Sequence, residues 1–169
     1  EQNRTELRQI QKIDKGSVIA KFQTQIAIVD GVNEQKQLFH FIISPKLQGI
    51  VKFTETNLRP KEGDFIKLTF ATKIDKDKKS RVKILSIELT EGVNPNLRKD
   101  ITGLLEVKYK NYYEEEGFPD FAFIGDYYVP KYLLEKHSIT EDCKVNARVI
   151  YGEDKMLRPR WKVIKIQKI

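Results

Sequence analysis

Apolar residues along this 169-residue chain fall in short runs separated by turn-forming clusters. Residues 17–22, 38–43, 50–53, 65–70 and 82–89 are rich in Val, Ile, Leu and Phe. Such runs, bounded by Gly, Pro, Asn and Asp, predict β-strands. The run at 26–29 reads as a continuation of the first strand past a bend. Asp30-Gly31 with Asn33 predicts a loop, and Pro60 to Asp64 a turn. At the start, Leu7, Ile10 and Ile13 are three residues apart, which predicts a short helical lead-in over 1–15. Residues 91–100, with Gly, Pro and two Asn, have linker character, and the linker is set at 91–102. Strands are then predicted at 102–109, 121–124, 127–129, 144–150 and 160–167, with a helical turn or two over 131–136.

The second half repeats the first in order. Gly103 stands 87 residues after Gly16, and Phe121-Ala122-Phe123-Ile124 stands 82 after Phe39-His40-Phe41-Ile42. The segments at 144–147 and 160–166 each stand 79 after their counterparts at 65–68 and 81–87. An internal repeat of five strands, with the offset changing only in loops, predicts two equivalent units, 16–90 and 103–169. Five strands in about 70 residues suit a small closed barrel.

The second unit resembles a cold-shock domain, a member of the OB-fold class, and most of all the RNA-binding cold-shock-like domain of transcription termination factor Rho. The residues that carry this are Gly103-Leu104-Leu105-Glu106-Val107, Phe121-Ala122-Phe123-Ile124, Asp126-Tyr127-Tyr128-Val129-Pro130 and the 139–145 stretch. The first unit shares the class through its likeness to the second and keeps Gly63-Asp64 before its fourth strand. Two departures stand out. The glycine that the family places between its two Phe is Ala122 in one unit and His40 in the other, and Lys52 stands where the second unit has Tyr128. The resemblance implies an all-β protein of two tandem five-stranded OB-fold barrels that binds single-stranded RNA or DNA, RNA first.

Charge adds to that picture. The net charge is +7; residues 16–90 hold 13 Lys and Arg against 8 Asp and Glu, and residues 103–169 hold 12 against 11. The first unit therefore supplies positive charge and the second the better set of rings. Single-strand binding uses both, a basic groove for phosphates and rings for bases. The expected interface is one continuous site. Phe121, Phe123 and Tyr128, with Phe39 and Phe41 as their first-unit counterparts, would stack bases. Phe39 and Phe41 fit a core equally well, because both faces of their strand are apolar. Lys52, Lys73, Lys78, Lys79, Arg81, Arg158 and Arg160 would meet phosphates. The alternative is a protein-docking module of the same fold, since fold alone does not decide function.

Other chemistry finds little support. His40 and His137 are lone histidines, and no metal-ligand spacing, Gly-rich phosphate loop or nucleophile elbow appears. No enzyme, cofactor or metal is expected. The Glu114-Glu115-Glu116 run reads as a solvated loop, and Trp161 as a core residue. The single Cys143 excludes an intrachain disulfide and suits a reducing, cytoplasmic setting. No apolar run reaches membrane-spanning length. A start at Glu1 without Met suggests a piece of a longer protein whose other domains would be partners.

Overall fold

A computed structural model describes residues 22–78, 80–110 and 117–169. The expected lead-in over 1–15 and the Glu114–Glu116 run lie outside the described residues. The first unit comprises β1 (Phe22–Asn33), β2 (Leu38–Ser44), β3 (Leu47–Lys52), β4 (Phe65–Ile74) and β5 (Ser80–Leu89). The second comprises β6 (Arg98–Lys108), β7 (Phe121–Ile124), β8 (Tyr127–Pro130), the helix α1 (Lys131–Lys136), β9 (Cys143–Ile150) and β10 (Lys162–Lys168).

Both units have the same strand order, but only the second closes. There the order is β10-β8-β7-β6-β9, and β9 returns to pair with β10. The closing ladder is parallel and brief, Lys162 opposite Tyr128. The first unit is a five-stranded sheet in the order β3-β2-β1-β4-β5, without a ladder from β3 to β5. This corrects the expectation of two closed barrels. Its ends are joined by side chains instead: Val51 of β3 and Val82 and Ile84 of β5 share one core. It is a half-barrel held shut by apolar packing.

Several local expectations are also corrected. The chain runs through Asp30-Gly31 as strand, absorbing the irregularity as a register shift between Val29 and Gly31. A bulge keeps a strand paired where one residue does not fit the ladder. The end of the expected linker is strand. Arg98 to Thr102 pair with Ile150 to Asn146, so β6 begins well before Gly103.

Each unit has its own core. In the first, Phe39, Phe41, Ile66, Leu68 and Phe70 are buried together. In the second, Leu105, Val129, Val145, Val149 and Val163 meet Leu133 and Leu134 of α1. A third cluster lies between the units. Ile28, Ile42 and Phe65 leave the first unit's outer face and meet Leu97, Ile150 and Tyr151, with Trp161 and Ile164 packed alongside. Burial of each such side chain contributes about 1.5–3 kcal/mol relative to exposure. The two units are therefore docked through an apolar interface.

Polar contacts and one glycine complete that junction. The guanidinium of Arg98 lies 4.3 Å from the centre of the Phe65 ring and donates from Nη1 to the Gly63 carbonyl at 2.9 Å. Lys162 Nζ donates to the Asp30 carbonyl at 2.6 Å and to Glu62 Oε2 at 3.0 Å. Gly63 has φ +91°, and a Cβ there would stand 2.4 Å from Ile164 Cδ1. Only glycine meets both demands, the left-handed backbone and the close approach of the second unit.

Candidate nucleic-acid interface

The three rings of the second unit come together as the strand pattern predicts. Alternation along β7 turns Ala122 and Ile124 into the core and Phe121 and Phe123 outward. Gly125 takes the positive φ, +59°, that a tight two-residue hairpin needs at its first position. The hairpin places Phe123 directly opposite Tyr128. Ring centres are 5.7 Å apart for Phe121 and Phe123, 5.9 Å for Phe121 and Tyr128, and 6.0 Å for Phe123 and Tyr128. Tyr128 is 39% exposed and the two Phe are half-buried. An exposed three-ring cluster costs hydration, and it offers π faces to planar ligands.

Phe39 and Phe41 do not form a second such cluster. Both are 0% exposed and lie in the first core. Their side chains and those of Phe121 and Phe123 point to opposite faces, although the letters align. The partners show why. Val29 opposite Phe41 is a core residue, whereas Glu106 opposite Phe123 is exposed. A shift of one residue in a strand moves every side chain to the other face. The outward positions of β2 are Leu38, His40 and Ile42, and Ile42 is covered by the second unit. The first unit's equivalent of the ring-bearing face is thus partly consumed by docking.

The cations scatter. Lys73 and Arg81 face each other across the β4–β5 ladder, near the hairpin tip that holds Lys78. Phe65, at the junction, is the other end of β4. At ~3.3 Å per residue the two ends of this strand are roughly 30 Å apart. The hairpin therefore stands far from the junction, and the expectation of one unbroken basic groove is corrected. Arg81 is paired with Asp75. Lys79 lies outside the described residues. Lys52 is exposed at the end of β3, on the outer face with Ile50. Arg158 is exposed but held at 2.7 Å by Asp154, whose carboxyl hydrogen bonds from Arg158 and Met156 keep below the ordinary carboxylate range. Arg160 is exposed and has no carboxylate partner among the described residues.

Arg160 opens onto a cleft that the sequence did not suggest. The cleft, of about 420 Å³, lies where the units meet and borders the ring cluster at Tyr128. The first unit contributes Asp30 and Glu62 to its wall. The second contributes Tyr128, Tyr132, Trp161 and Arg160. Tyr132 is 55% exposed; partial burial, then the charge of Glu62, raises its hydroxyl above the ordinary tyrosine value. Trp161 is not simply core. It is half-buried, edge-on to Tyr151 with ring centres 5.6 Å apart, and its face carries Lys99 Nζ at 4.2 Å. His40 pairs through Nδ1 with Asp30 at the rim. These residues come from five separated segments, so no local motif announces them.

Comparison with protein families follows this division. Residues 19–83 match the model of S1/CSD-like domain 1 of the TOTE conflict systems. Residues 108–166 match that of S1/CSD-like domain 2 of the same systems. The chain carries two S1/CSD-like domains in tandem. No curated protein and no solved structure matches it. The second S1/CSD-like domain holds the ring cluster, and the first holds the basic hairpin and the acidic wall of the cleft. Among the described residues no group of His, Cys, Asp and Glu is placed to hold a metal ion, and no helix is long and apolar enough to cross a membrane.

Proposed function

We propose that this tandem is a single-stranded nucleic-acid-binding module, not an enzyme, and that it works in the cytoplasm. The observation that carries the reading is the open cluster of Phe121, Phe123 and Tyr128 on one sheet face. Domains of the S1/CSD type bind nucleic acids or mediate interactions. Rings on an OB-type sheet stack bases at about 1–3 kcal/mol per base, with little dependence on sequence. RNA is favoured over DNA on the likeness of Gly103–Val107, Phe121–Ile124 and Asp126–Pro130 to the cold-shock-like domain of Rho. Arg160, next to the rings across the cleft, supplies a phosphate contact, and Lys52 a further one along the first domain's outer face. Lys73, Lys78 and Arg81 then serve only strands long enough to reach the hairpin.

The docking of the domains favours a second reading, that the fold serves protein contacts, because one OB-type face is already spent on such a contact. Fluorescence anisotropy decides between them. Labelled single-stranded RNA and DNA are titrated across a salt series with wild type, Phe123→Ala and Tyr128→Ala. Salt-sensitive binding that weakens by about 1–3 kcal/mol per lost ring supports stacking. No binding at low salt, with circular dichroism showing folded protein, leaves the docking module.

A further inference from the structure

The cleft between the domains has the shape of a ligand site and a chemistry unlike that of the ring cluster beside it. Its volume, about 420 Å³, falls in the ~300–1,000 Å³ range of small-molecule pockets. One end is Tyr128, so a strand lying on the three rings continues into it. Tyr132 and Trp161 offer aromatic surface within it. The opposite wall carries two carboxylates of the first domain, Asp30 paired with His40 and Glu62 paired with Lys162, which also lines the cleft. An ionised carboxylate only accepts hydrogen bonds. Arg160 also lines the cleft and is exposed, so the phosphate of an entering nucleotide lies toward Arg160 and its base toward Glu62.

We propose that this cleft receives one base of a bound single strand and selects guanine, with Glu62 as the reading residue and Tyr132 or Trp161 as the stacking surface. The inference rests on the reading of the ring cluster as a base platform. Glu62 has one oxygen, Oε2, held by Lys162 at 3.0 Å, and its side chain is only partly covered, which leaves acceptor capacity facing the cleft. Lys162 also donates to the Asp30 carbonyl, so the carboxylate is anchored to a fixed point on the junction. Guanine presents two adjacent donors, N1–H and the N2 amino group, along its Watson–Crick edge. Uracil presents one N–H between two carbonyl oxygens. Cytosine and adenine each present an amino group beside a ring nitrogen acceptor. Against the Glu62 carboxylate, which only accepts, guanine alone offers a matched pair of donors, and the acceptors of the others face negative charge. A well-placed side-chain contact to a base edge discriminates by about tenfold or more.

The test is anisotropy with four RNA oligonucleotides of about ten nucleotides, within the site size of OB-type domains. One is oligouridine; the others replace a single central uridine with guanosine, adenosine or cytidine. The expected result is that the guanosine strand binds about tenfold more tightly than the other three. Glu62→Gln should reduce that ratio to about threefold or less without weakening oligouridine. Reading the ratio removes any general gain from a freed Lys162, which acts on all strands alike. Binding of all four strands with equal affinity overturns the guanine pocket and leaves the platform standing. So does preference for another base, or a guanine preference that Glu62→Gln does not move. Failure of every strand to bind overturns the platform reading itself.

Discussion

The two domains share a strand order and part in what they do with the outer face of their first three strands. In the second domain this face is open and carries Phe121, Phe123 and Tyr128. In the first, one end of the face carries Ile28 and Ile42 and is buried against the second domain. The same architecture thus yields one surface that can meet a ligand and one that makes a junction. The difference comes from which alternate residues of β2 and β7 point outward, and from the apolar residues placed there. An apolar outward face next to another apolar surface is removed from water, whereas a ring-bearing face flanked by Glu106 and Lys108 stays hydrated. Closure differs with it. The second barrel is sealed by a ladder at Tyr128 and Lys162, so its rings sit on a hydrogen-bonded sheet, while the first is sealed by side chains alone.

Substitution of matched phenylalanines should break this comparison most sharply. Phe39→Ala removes a fully buried ring and should cost about 3–5 kcal/mol of stability. Phe123→Ala, on the outer face, should change stability far less and lower oligonucleotide affinity instead. Urea denaturation of the two variants side by side separates these outcomes; equal losses would show that the second domain's rings are structural. Next in size is the junction. Gly63→Ala forces a methyl group toward Ile164 in a left-handed backbone, and a clash of this kind costs about 1–3 kcal/mol. Calorimetry should show a lowered transition that broadens or splits as the domains uncouple. A single unshifted transition would mean that the docking contributes little to either domain.

The basic hairpin gives a smaller effect. Lys78→Ser with Arg81→Ser should change affinity for a short strand by less than about twofold, because the tip is at the far end of β4 from the junction, and each phosphate contact contributes a salt slope of only ~0.7 on single strands. A strand of about twenty nucleotides should feel the pair more. Equal loss on both lengths would bring the hairpin back into the main site.

The smallest effect concerns pH. Arg148 donates to both oxygens of Asp100, at 2.8 and 3.1 Å, and these bonds hold the Asp100 carboxyl below its ordinary value. A depressed folded-state value means that the pair stabilises the protein above the unfolded-state value of about 3.9 and loses this as pH falls through the folded one. Exposure limits the contribution to about 1 kcal/mol or less. Asp100→Asn should therefore be slightly destabilising at pH 7 and converge with wild type as pH falls below the ordinary carboxylate range, as urea denaturation at a series of pH values would show.

Much of the fold was legible from alternation and turn residues. The strands at 38–43, 65–70, 82–89, 121–124 and 144–150, the short helix at 131–136 and the doubling of the five-strand unit all follow from local pattern. Phe121, Phe123 and Tyr128 were legible as neighbours because a two-residue turn fixes their register. Phe39 and Phe41 were not, and the reason lies in their own strand. Leu38, Phe39, Phe41, Ile42 and Ile43 make both faces apolar, so periodicity cannot choose between them. The likeness of Phe-Ala-Phe-Ile to Phe-His-Phe-Ile pointed to one face, and the packing took the other.

By itself the sequence determined the strand menu, the repeat, the net positive charge and the three rings of the second domain. These are local or compositional properties, set by residues close along the chain. The tertiary structure alone decided that Ile28, Ile42 and Phe65 dock onto Leu97 and Ile150, that the first unit remains an open sheet whose end strands meet only through side chains, and that Asp30 and Glu62 face Tyr132 and Trp161 across a cleft. Such contacts join residues up to 130 or so positions apart, as Lys162 and Asp30 are. No periodicity encodes them. They follow from which apolar faces remain uncovered once each barrel has formed, and from the loss of water when those two faces meet.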